Sequence, residues 1–105
     1  MKRQETLYTI KSTVQAFLPG AQVLLFGSRA RGNETRNSDY DLLVITQEAY
    51  APREKVNWEN KISKALVNLL RAPFDVILQS NEEINLRRNS KGHIVYYALK
   101  DAVEL

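Results

Sequence analysis

The sequence contains no cysteine. Disulfide frameworks and thiolate zinc sites are therefore excluded, and a cytoplasmic location is the natural expectation. No apolar run approaches the length of a membrane span, and no secretory signal pattern opens the chain. No internal repeat or low-complexity segment occurs. The single histidine, His93, lies in a basic turn and carries no catalytic role on that ground. The charge balance is also slight. A net charge of +3 suits an anionic ligand or an acidic partner but is too small to imply nucleic-acid binding by itself.

What remains is an ordinary globular composition. A chain of 105 residues has room for one domain, and 44% apolar with 26% charged residues is enough to build its core.

The informative stretch runs from Leu24 to Ile45, LLFGSRARGNETRNSDYDLLVI. An apolar strand breaks at Gly27-Ser28, crosses a polar loop, and gives way to a second apolar run carrying Asp39 and Asp41. Strands rarely hold two carboxylates, because burying an unpaired ionised group is costly. Residues i and i+2 of a strand share a side, so Asp39 and Asp41 project together, away from Tyr40, Leu42 and Val44. Two parallel carboxylates repel, and a hard divalent cation removes the conflict; Mg²⁺ favours a few carboxylates plus substrate phosphate oxygens. Gly27 permits a tight turn and close approach to a ligand. Ser28 offers a hydroxyl, and a short helix starting there presents free N–H groups to an anion. Gly27 to Gly32 also fits G-x-x-x-x-G, but Asn33-Glu34 follows where a P-loop needs Lys and Ser or Thr, which rules that motif out.

Gly27-Ser28, ten residues, then Asp39-Tyr40-Asp41 resembles the Gly-Ser-x10-Asp-x-Asp signature of polymerase-β-like nucleotidyltransferases. The short length points to the minimal nucleotidyltransferases, often encoded beside a HEPN-domain partner as antitoxins. The resemblance spans roughly Leu24 to Leu78. It implies an α+β fold, a small mixed sheet with helices packed on it. It also implies triphosphate binding by Gly27 and Ser28, and two Mg²⁺ ions held by Asp39, Asp41 and a third carboxylate that doubles as base. Asp75, in the short apolar strand Phe74 to Gln79, fits that third position. Beside Asp41 on a neighbouring strand it would stand at about 5 Å between β-carbons.

The rest of the chain reads as scaffold. Leu7, Ile10, Val14, Phe17 and Leu18 predict an amphipathic helix from Thr6, stopped by Pro19-Gly20. Ala21 to Phe26 and Tyr40 to Thr46 predict interior strands, the second apolar on both faces and so central. Arg53 to Arg71 predicts the longest helix, with Val56, Ile62, Leu66, Leu69 and Leu70 as its buried stripe and Trp58 at the margin. Tyr50 either reaches a nucleotide base or covers the core edge. Ser80 with Glu83 is a capping box for a helix from Asn81. Arg87, Arg88 and Lys91 form a small basic patch, and Ile94 to Tyr97 suits strand or helix, with helix predicted to the end. Arg29, Arg31 and Arg36 lie in or beside the Gly32–Ser38 loop. Arg29 is a candidate phosphate ligand beside Gly27 and Ser28, whereas Arg31 and Arg36 read as surface charge.

The expected activity is Mg²⁺-dependent transfer of a nucleotide from ATP. The length leaves little for an acceptor-binding domain, so a partner would present the acceptor. The family implies AMP transfer to a tyrosine of a HEPN toxin, in the manner of a type VII antitoxin. Neither a membrane nor nucleic acid is required, and a homo- or hetero-oligomer is compatible. Two other classes fit the residues: a binding module that silences its partner by contact alone, and a small-molecule transferase of the aminoglycoside-modifying kind.

Overall fold

The strand β2 (Tyr40–Thr46) organises the fold, with hydrogen-bonded neighbours on both sides. The computed structural model describes residues 2–105. It runs α1 (Arg3–Phe17), β1 (Gln22–Phe26), α2 (Ser28–Arg31), β2, α3 (Pro52–Leu70), β3 (Phe74–Ser80), α4 (Asn81–Arg87), α5 (Ile94–Asp101) and β4 (Val103–Glu104). The sheet order is β3-β2-β1-β4. β2 is parallel to β3 and antiparallel to β1, so the sheet is mixed. α3 is the crossover that a parallel pair requires.

Alternation along each strand divides the core into two layers. Val23, Leu25, Leu42, Val44, Val76 and Leu78 point to one face and pack against α1 and α3 through Ile10, Val14, Ile62 and Leu66. Leu24, Phe26, Leu43 and Ile45 point to the other and pack under α4 and α5 through Ile84, Val95 and Ala98. β2 is therefore buried on both faces, as its continuous apolar run predicts.

Three expectations need correction. The C-terminal residues do not stay helical. α5 ends at Asp101, and Val103 and Glu104 pair antiparallel with Leu25 and Leu24, closing the open edge of β1. Within α3, only Ile62 and Leu66 are buried; Val56 and Leu69 are 50% and 59% exposed. The helix is narrower in contact than its apolar residues suggest because it lies over the sheet edge. Ser63 Oγ donates to the Phe74 carbonyl at 3.1 Å, and Glu59 accepts from the Leu78 amide at 2.9 Å, so α3 satisfies part of β3's outer edge. His93 is more than a member of its basic turn: its Nδ1 accepts from the Val95 amide at 3.1 Å and caps α5.

Candidate active site

Asp41 enters β2 on the face of Leu43 and Ile45, the face covered by α4 and α5. Its register partner across the parallel pair is Asp75. Direct partners project to the same side, so the two carboxylates stand next to each other at the N-terminal ends of adjacent strands. Asp39 lies one residue ahead of β2 and is exposed. Tyr40 faces the opposite layer, stacked on Phe74 with ring centroids 4.8 Å apart.

Gly27 closes the site from the β1 side. Phe26 is the register partner of Asp41, and the chain turns immediately after it. Gly27 adopts φ +77°, where a side chain is strained, and a Cβ there would collide with Asp41 Oδ2 and lie 3.2 Å from its Cγ. The glycine is thus required twice, by its backbone and by the carboxylate against it. The turn feeds directly into α2, which starts at Ser28. Gly27, Ser28, Asp41 and Asp75 are brought together, with Asp39 at the rim.

The electrostatics follow from this crowding. Burial, then the negative charges of Asp75 and Asp39, push the Asp41 carboxyl above its ordinary value; Arg31 pulls the other way and Asp101 adds to the rise. Among the described residues, no three His, Cys, Asp or Glu side chains are gathered closely enough to hold a metal ion on their own. Two adjacent strand carboxylates, a third at the rim and a glycine turn flush against one of them still fit an oxygen-seeking cation that takes its remaining ligands from a phosphate.

The three arginines part company. Arg29 lies over the Tyr40 ring at 4.0 Å, and its Nε donates to the Ser38 carbonyl at 3.0 Å, on the face away from Asp41. Arg31 turns to the carboxylate face and pairs with Asp101 of α5 at 2.7 Å. Arg36 is exposed in the loop. Ser38 organises that loop, its Oγ accepting from the Thr35 amide at 2.8 Å. Sequence reasoning missed Asp101, a residue whose relevance only the folding of α5 over β1 creates. Tyr50, the candidate for reaching a nucleotide base, lines a cavity of about 380 Å³ with Trp58 and Phe17 near Thr46, at the other end of β2. Five residues of strand put them roughly 16 Å from Asp41, so they serve the core edge.

This mixed sheet, with its serine turn and acidic strand ends, defines a nucleotidyltransferase of the polymerase-β type. The sequence profile of the Polymerase beta nucleotidyltransferase family matches residues 9–100, and the chain belongs to that family. No protein with a curated description matches it. Among solved structures, one provisionally named a minimal nucleotidyltransferase is similar over 100% of this chain and 97% of its own, with TM-score 0.66 and 22% identity. A chain from a toxin–antitoxin structure with AMP-PNP is similar over 98% of this chain and 72% of its own, with TM-score 0.66 and 15% identity. A third, from tri-AMPylated Shewanella oneidensis HEPN toxin in complex with MNT antitoxin, gives TM-score 0.65 at 13% identity over 98% of this chain and 71% of its own. At such identities the likeness is one of fold.

Proposed function

We propose that this protein transfers AMP from ATP to a tyrosine hydroxyl of a HEPN-domain toxin and so acts as its antitoxin. The observation that carries the reading is the Asp41–Asp75 register pair, flush against the Gly27-Ser28 turn. The similarity to chains from toxin–antitoxin structures, one with AMP-PNP and one with a tri-AMPylated HEPN toxin, supports the choice of nucleotide and partner.

In this reading Asp41, Asp75 and Asp39 hold Mg²⁺, two ions when ATP and acceptor are both present. Bound there, the metal supplies charge neutralisation at the phosphates and lowers the pKa of the attacking hydroxyl. Ser28 holds the β- and γ-phosphates by its hydroxyl, and Gly27 lets the backbone come close enough for that contact. Arg29 takes no part in this site: it braces Tyr40 on the opposite face of the sheet. The tyrosine oxygen attacks the α-phosphorus and forms the new P–O bond. The bond from the α-phosphorus to the α,β-bridging oxygen breaks, and pyrophosphate leaves. The hydroxyl proton passes to the Asp75 carboxylate, which is exposed at the strand end and can return it to solvent.

Incubating the protein with labelled ATP, Mg²⁺ and a HEPN protein encoded beside it tests the proposal. Label on a tyrosine of the partner, lost in an Asp39→Ala/Asp41→Ala double variant, is the expected result. An unlabelled partner whose toxicity the double variant still suppresses would replace the enzyme with a contact-only antitoxin. Adenylation of an aminoglycoside by the isolated chain would instead point to a small-molecule transferase.

A further inference from the structure

Three aromatic side chains meet at the end of β2 opposite the carboxylates. Phe17 closes α1, Tyr50 stands in the loop after β2, and Trp58 lies near the start of α3. The Phe17 and Tyr50 rings stand 6.4 Å and 6.5 Å from the Trp58 ring and are inclined to it by 73° and 60°. Such edge-to-face pairs are common in cores, where they fill space. Here they border a cavity of about 380 Å³, and all three rings stay partly exposed. The space is held open from two sides. Thr46 is buried, and its hydroxyl donates to the Glu48 carbonyl at 2.8 Å, which fixes the loop leaving β2. Gln15 Nε2 donates to the Ala21 carbonyl at 3.0 Å and fixes the turn between α1 and β1.

The cavity has one sign of charge. Among the described residues that border it, Glu48 carries the only ionised side chain. The C-terminal end of α1 also borders it, with no basic residue in the last turn, and Pro19 has no N–H to give to the Gln15 carbonyl. The negative end of the helix dipole is thus left uncompensated there. Ring faces add to the same potential, because the aromatic quadrupole is negative above and below the plane. The Trp58 ring already attracts one cation: Lys61 Nζ lies 5.3 Å from its centroid, although Lys61 does not border the cavity. An anion would meet no counter-charge in this space. A hard metal ion needs about six oxygen ligands, which aromatic walls cannot supply. An organic ammonium ion fits both the rings and the charge.

We propose that this cavity is a binding site for a small organic ammonium ion, separate from the carboxylate site and independent of the transferase reading. The alkyl groups of the ligand pack between Phe17, Tyr50 and Trp58, its charge faces the rings, and Glu48 stands at the rim as counter-ion. The volume lies near the small end of ligand pockets and suits a cation of choline's size.

Choline is the probe, and 3,3-dimethylbutan-1-ol, in which carbon replaces the nitrogen, is its uncharged counterpart. Trp58 is the sole tryptophan of the chain, so its fluorescence reports on the cavity directly. Titration of the full chain at constant ionic strength should show saturable choline binding. The alcohol should bind about tenfold more weakly, the scale of a partly desolvated cation–π contact. Tyr50→Leu removes one ring while keeping apolar bulk, and should weaken choline about tenfold and the alcohol much less. Glu48→Gln should weaken choline about threefold at low salt and less at high salt, as an exposed carboxylate is screened. Melting temperatures of the unliganded variants confirm that each is folded, and Glu48→Gln, an exposed substitution, keeps the test open if Tyr50→Leu is not. Equal affinity for choline and the alcohol would overturn the proposal, leaving only an apolar cleft. So would the lack of a saturable fluorescence change with choline, or choline affinity untouched by Glu48→Gln at low salt.

Discussion

At Gly27 one added methyl group would reach the chemistry directly. Gly27→Ala forces an alanine to φ +77° and drives its Cβ into the Asp41 carboxylate. The backbone term alone costs about 1–2 kcal/mol. The expected outcome is a lower melting temperature together with loss of transfer by about 100-fold or more, since misplacement by about 1 Å is enough for that. Asp41→Asn should behave oppositely in the two assays. Because Asp41's carboxyl is raised above its unfolded value, its favourable contribution is complete below the ordinary carboxylate pKa and is lost as pH rises through the raised one. Near neutral pH the ionised group opposes folding. The amide should therefore raise the melting temperature while abolishing transfer. Thermal melts at pH 7.5 and the labelling assay check both. The pairing of Asp41 with Asp75 was legible in the sequence because carboxylates in apolar strands are conspicuous. The directions of Arg29 and Arg31 were not. Both side chains leave a four-residue helix, and only the positions of Tyr40 and Asp101 decide which face each one takes.

α4 was legible element by element because its start is local chemistry. Ser80 Oγ accepts from the Glu83 amide at 3.1 Å, and Glu83 Oε1 accepts from the Ser80 amide at 2.8 Å. Only the third contact is long-range: Lys55 of α3 donates to Glu83 Oε2 at 2.6 Å and ties the two helices together. Burial pushes Glu83 upward, but the Lys55 bond and the Ser80 amide outweigh it and hold the carboxyl below its ordinary value. A depressed carboxyl contributes stability above its unfolded pKa and loses it as pH falls through the folded one. Glu83→Gln should therefore lower the melting temperature at pH 7 and change it little at pH 3, which a pair of melts would reveal. Ser80→Ala removes the cap acceptor from a buried position and should cost about 1 kcal/mol or more. β4 illustrates the opposite case. Val103-Glu104 carries no strand signal of its own; it is a strand because β1 has an edge to pair with. Val56 and Leu69 failed for a related reason, since periodicity reports which residues are apolar and not how far α3 overhangs the sheet.

Over the whole molecule, a protein of net charge +3 gathers Asp39, Asp41, Asp75 and Asp101 at one end of its sheet against one guanidinium. The fold holds that imbalance because β1, β2 and β3 are fixed by apolar packing on both faces, independently of the site. Such an arrangement is poised to be stabilised by whatever neutralises it. Mg²⁺ with a non-hydrolysable ATP analogue should raise the melting temperature, since a ligand at 100 times its Kd adds about 2.7 kcal/mol, or roughly 10 °C or more here. Mg²⁺ alone should do much less, because no three side chains among the described residues form a complete cation site and the phosphate must supply the missing oxygens. The analogue without metal should also do little, as its charge would meet the carboxylates uncompensated. Asp39→Ala/Asp41→Ala should abolish the shift while leaving the fold intact, because both side chains lie at or near the strand's exposed end. Equal shifts from Mg²⁺ alone and from the pair would mean that the cation site is already complete without phosphate. No shift from the pair, with the unaltered protein folded, would mean that the carboxylates and the Gly27-Ser28 turn share a face of the sheet without sharing a ligand.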